Sequence, residues 1–103
     1  MKPIKERTKQ ALEVTIAHLK GVKIETVKGL LNDVGMKYER QGATAAEILV
    51  VGKREDSAYA DKHNELNALV QIIHTLDEEH LPPAQAGYIL KKLLAIQQYY
   101  QPS

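Results

Sequence analysis

Residues Val14 to Asp33, "VTIAHLKGVKIETVKGLLND", place a glycine between two amphipathic runs. Before that glycine, Thr8, Ala11, Leu12, Thr15, Ile16 and Leu19 recur at three- and four-residue steps, the spacing that gathers side chains on one face of a helix. Gly21 ends that helix. Beyond it, Ile24, Val27, Leu30, Leu31 and Val34 repeat the pattern, and Gly35 stands where a left-handed C-terminal cap is expected. Two helices joined by a tight turn set an all-α reading for the chain.

The pattern continues toward the C-terminus. Pro3 suits the first turn of the first helix, where its missing N–H costs nothing. Residues 36 to 43 read as polar and irregular. Thr44 and Glu47 have the spacing of a capping box ahead of Ile48-Leu-Val-Val51. Around residues 37–51 the choice lies between a short β-hairpin, favoured by the β-branched residues, and one or two helical turns ending at Gly52. The helical turns are preferred. Tyr59, Leu66, Leu69, Ile73 and Leu76, widened by Val70, predict a long helix from Ser57 to Glu79. Leu81-Pro-Pro83 breaks it, and a last helix from Pro83 carries Ala86, Ile89, Leu90, Leu93, Ile96 and Tyr100 on one face. The expected architecture is a small all-α bundle of four main helices with a C-terminal αα-hairpin, spanning residues 1–103 as one domain.

Composition narrows the function. The 103 residues contain no cysteine, which removes disulfides, thiolate nucleophiles and cysteine metal knuckles and fits a reducing cytoplasm. A net charge of +1 does not suggest a chain that coats nucleic acid by bulk charge. The start MKPIKERTKQ is basic but leads into no apolar run, so no signal peptide is expected. The longest aliphatic run, Ile48 to Val51, is far too short to span a bilayer, and no membrane association is expected. With five Tyr but neither Trp nor Phe, the core must come from Leu, Ile, Val and Ala.

The opening stretch resembles the general helix-turn-helix pattern over about twenty residues. Ala17 takes the place of the small crossing residue, Gly21 the turn, and Val22, Val27 and Leu30 the buried positions of the second helix. Lys20 fills a position that is usually apolar in that motif, and Ala17 lies round the helix from the Leu12–Ile16–Leu19 stripe. Charge divides along the chain: residues 1–35 carry seven Lys or Arg against four Asp or Glu, so this part is cationic and the remainder anionic. The resemblance implies double-stranded DNA held by a homodimer. Lys5, Arg7, Lys9, Lys20, Lys23 and Lys28 would contact phosphate, and Thr26 and Asn32 base edges.

A second reading rests on the last helix. Tyr88, Lys91, Lys92 and Tyr99 fall away from its apolar face, and tyrosine gives large contact area at low entropic cost. Its apolar arc is broad, which places Leu90, Leu94 and Tyr100 at a surface shared between subunits. This describes a helical-bundle adaptor, inhibitor or immunity-type protein that acts by protein–protein contact. Chemistry has less support. His74 and Glu78 are an i,i+4 pair with His80 nearby, but a zinc site needs three or four converging ligands. "GKRE" at Gly52 lacks the second glycine and the Lys-Ser/Thr pair of a phosphate loop. Neither an enzyme, a metal nor a cofactor is expected.

Overall fold

The computed structural model describes residues 4–100, and the side chains of residues 6–99. All of its regular structure is helical: α1 (Ile4–His18), α2 (Lys28–Gln41), α3 (Ala43–Gly52), α4 (His63–Glu78), α5 (Pro83–Lys91) and α6 (Leu93–Tyr100). No strand occurs among the described residues. Neighbouring helices follow the order α2, α3, α4, α1, α6, α5 and return to α2, so the six close a ring around one core. Leu19, Ile24, Leu30, Leu31, Leu66, Leu69, Ile72, Ile73, Leu76, Leu90 and Leu93 are its fully buried large side chains. Each such side chain contributes about 1.5–3 kcal/mol by leaving water. The core is aliphatic, as the composition requires, with Tyr38 the one aromatic buried in it among the described residues.

Several boundaries differ from the sequence reading. The second helix is delayed, because Ile24–Val27 forms a 3-10 turn first. It then runs through Gly35 to Gln41, so residues 36–41 are helical rather than irregular. The break falls at Gly42, whose φ of 92° and ψ of 179° suit glycine alone. Residues 43–52 are helix and end at Gly52, as preferred from sequence over the hairpin, but the Thr44–Glu47 capping box does not form: Thr44 already lies inside α3, and Glu47 meets His74 instead. The long helix begins at His63 rather than Ser57. Asp56 accepts a hydrogen bond from the Ala58 amide at 2.9 Å, and this local cap closes a 3-10 turn over Ser57–Tyr59. Beyond the proline corner the last helix divides at Lys92 (φ −101°, ψ 10°). That bend keeps Leu93 in the core and turns α6 toward the end of α1. α5 follows α4 through the short corner, but its main partner is α2.

Gly35 was expected as a cap and is a contact. A Cβ on Gly35 would stand 2.7 Å from the Gly87 carbonyl oxygen, and one on Gly87 would stand 2.6 Å from that of Gly35. The backbones of α2 and α5 therefore touch, as only a pair of glycines allows. One turn further along each helix, Glu39 and Lys91 strap the crossing with an ion pair at 2.8 Å. Alanine at Gly35 or Gly87 must force the helices apart.

Gly35→Ala should destabilise by about 1–3 kcal/mol or more. Gly29→Ala, where a Cβ meets nothing within 4 Å, should instead stabilise by about 0.5–1 kcal/mol. Urea unfolding of the two variants checks the contrast. A second check uses Tyr38, 3% exposed, whose hydroxyl is pushed up to about 12 by burial, with the charge of Asp77 adding to the effect. The unfolded chain ionises this group near 10 while the folded chain holds the proton, so its stabilisation is complete below pH 10 and lost as pH rises toward 12. Tyr38→Phe should flatten that decline by roughly 2–3 kcal/mol in denaturation measured across this range.

Candidate partner-binding face

The bend at Lys92 creates a groove. Lys92 is the last residue to donate its N–H into α5, reaching the carbonyls of Tyr88 and Ile89, and its own carbonyl accepts from Ile96 in α6. The two helices thus diverge, and α1 forms the opposite wall. The resulting hollow has a volume of about 440 Å³ and is lined by α1 (Thr8, Leu12), α5 (Gln85, Tyr88, Ile89), Lys92 and α6 (Ala95, Ile96, Tyr99). Its lining is mostly apolar. Gln85 donates to the Thr8 hydroxyl at 2.6 Å, tying α5 to α1 and satisfying polar groups beside the groove. Tyr88 and Tyr99 are 59% and 82% exposed, and the Lys92 ammonium lies 5.8 Å from the Tyr88 ring centre. An apolar floor between exposed tyrosines with one cation is the composition of a contact site.

One buried amide fixes the geometry of this face. Gln97 of α6, 8% exposed, donates through Nε2 to the carbonyl of Leu19 at 3.1 Å and to that of Val22. Both carbonyls belong to the chain leaving α1, where the helix has stopped and its carbonyls need donors.

The partner-binding residues expected from sequence separate into three groups. Tyr88, Lys92 and Tyr99 come together on the groove. Leu90 is fully buried in the core, which takes it out of the shared surface expected of it, while Leu94 is partly buried against that core. Lys91 faces α2, with its stem over Gly35 and its ammonium on Glu39. The side chains of Tyr100 and Lys5 lie outside the described residues. Thr8, Leu12, Gln85 and Ile96 were not singled out as a site. The helical period marks Leu12 and Ile96 as apolar, but nothing local shows that α1 meets α6.

The cationic residues also divide. Arg7 and Lys9 sit near the start of α1, where Arg7 donates to the carbonyl of His80 at 3.5 Å. Lys20, Lys23 and Lys28 are exposed around the α1–α2 connection, roughly 17 Å along the helix from Lys9. Thr26 spends its hydroxyl proton on the Lys23 carbonyl at 2.8 Å, and the Asn32 amide lies 3.6 Å from the Met36 sulfur. Ala17, the expected crossing residue, is exposed, and α1 packs on α4 rather than α2. The tight helix pair implied by the resemblance is therefore not assembled.

Among the histidines, His74 turns to Glu47 rather than to Glu78, and His18 approaches the Thr75 hydroxyl at 3.4 Å. His80 takes a left-handed conformation (φ 56°) just past α4. No group of three or more metal-ligating side chains exists among the described residues. None of the described helices is long and apolar enough to cross a membrane. No protein-family model matches the chain, and neither a curated protein nor a solved structure shows significant similarity to it.

Replacing Gln97 with Leu takes the amide donor from the Val22 carbonyl and leaves the Leu19 carbonyl with the Val22 N–H alone, which should cost about 1–3 kcal/mol. Gln97→Glu should be worse near neutral pH, since a carboxylate cannot donate. Thermal melts of both variants test the clamp; wild-type stability in Gln97→Leu would show that the amide holds nothing.

Proposed function

We propose that this chain acts by protein–protein contact, as a helical-bundle adaptor or inhibitor that receives an amphipathic helix of its partner in the α1–α5–α6 groove. The observation that carries this reading is an apolar groove of about 440 Å³ bordered by two tyrosines exposed to 59% and 82%. Tyrosine is enriched where binding energy concentrates, and a helix in a groove is a recurring mode of recognition. Lys92, the one charged residue lining the groove among the described residues, favours an acidic residue on the incoming helix. The absence of cysteine fits work in a reducing cytoplasm.

DNA binding is the second reading, supported by Lys20, Lys23 and Lys28, which are exposed near one turn and make no ion pair. Three lysines with Glu25 among them are a small electrostatic footprint, and the tyrosine groove plays no part in that role.

The immobilised protein should retain a protein from cell extract in stoichiometric amount, and the Tyr88→Ser/Tyr99→Ser variant should lose it while keeping the wild-type melting temperature. Equal retention by the two forms would remove the groove reading. Random duplex DNA supplies the other arm. Binding below tens of micromolar at low salt, falling steeply with salt and weakened uniformly by Lys23→Glu with Lys28→Glu, would establish the DNA reading instead.

A further inference from the structure

The bend at Lys92 has no cause in its own stretch of sequence. Sharp kinks in helices occur at proline, at Gly/Ser pairs, at π-bulges or where a group enters the hydrogen-bond ladder. Residues 88–100, YILKKLLAIQQYY, contain neither glycine, proline nor serine, and most are good helix formers. Lys92 alone separates α5 from α6. Rotations of roughly 40° in φ and 50° in ψ would return it to helical geometry.

The bend is therefore held from elsewhere in the fold. α6 docks on α1 and on the Ile24–Val27 turn. Leu93 is fully buried, Leu94 and Ile96 pack partly against the core, and Gln97 donates to the Leu19 and Val22 carbonyls. A straight helix over residues 83–100 carries α6 off this seat and leaves it empty. One chain cannot have both the straight helix and the filled seat. Two chains can, if each lends its α6 to the other.

We propose that a second copy of this chain forms a dimer by exchange of α6, with residues 83–100 a single helix in each copy. The fit is already built, because the exchanged α6 makes the contacts it makes within one chain. Such an exchange is reciprocal and closes at two copies, and a short hinge invites it. Each tyrosine groove is then completed by two chains, with Tyr88 from one and Tyr99 from the other. Lys91 and Lys92 of both copies gather where the hinges pass. Glu39 holds each Lys91, so salt should favour the dimer by screening Lys92. The proposal stands whether or not the groove receives a partner.

The full chain, held at about 500 micromolar near its melting midpoint and then cooled, tests the exchange. It should yield a dimer, separable by gel filtration, that returns to monomer slowly on dilution because α6 must first detach. Lys92→Gly should dimerise about thirtyfold more weakly than Lys92→Ala, since both remove the charge and two hinges each lose about 1 kcal/mol of helix propensity. Spin labels on Ala84→Cys and Gln98→Cys, both exposed in a chain with no native cysteine, report the hinge itself. In dimers formed with excess unlabelled chain, the two labels should move apart from their monomer distance toward about 21 Å, the length of straight helix between them. A chain that stays monomeric after this treatment overturns the proposal. So does a dimer that keeps the monomer's label distance, or equal dimerisation of the two Lys92 variants.

Discussion

Contact between the backbones of α2 and α5 is the constraint on which the arrangement depends. Two glycines distant in sequence meet with no side chain between them, and the Glu39–Lys91 pair closes over the crossing. The ion pair adds little energy, since exposed pairs contribute about 0–1 kcal/mol, but it sets the direction in which the helices cross. Close approach at this point draws α5 away from α4, its neighbour in sequence, and onto α2. The ring can then close only if α6 turns back to reach α1. Both the bend at Lys92 and the groove beside it follow from the same crossing.

The division of the last helix separates two uses of its residues. Ile89, Leu90 and Leu93 face the core, and Lys91 is committed to α2, so the side chains left over are those that point into the diverging angle. Tyr88, Lys92 and Tyr99 are in that set. Their exposure is therefore a result of the fold's geometry and not of an unfinished core. The exposed face of α3 arises differently. There Ala46 and Val50 are fully buried and Ala43 and Leu49 pack partly against the core, while Ile48 and Val51 are left outside the ring.

Helical class was legible because the 3.6-residue period is dense: Leu66, Leu69, Ile73 and Leu76 leave no room for a strand, and all are fully buried. Ends were harder, since the same residue type serves opposite purposes. Gly35 and Gly42 look alike in sequence, and only the presence of α5 makes the first a contact and the second a stop. Thr44 and Glu47 have the spacing of a capping box, but Gly42 had already begun the helix and His74 on another helix claims the carboxylate. For the candidate site, Tyr88, Lys92 and Tyr99 could be read from their distance to the apolar stripe. The opposing wall, Thr8 and Leu12, could not, because pairing between the two ends of a chain leaves no local trace.

α6 has eight residues, fewer than an isolated helix can sustain in water. Its order is borrowed from Leu93 in the core and from the Gln97 amide, which joins residues separated by 78 positions. Among the segments of the ring it is therefore the one whose detachment costs least, a cooperative unit able to open while the remainder holds. An open α6 carries Ala95, Ile96 and Tyr99 out of the groove, so only the closed population can bind there, and apparent affinity scales with that fraction. Occupancy in turn favours closure. Slowed amide exchange in α6, one wall of the groove, would then register binding as a gain in local stability.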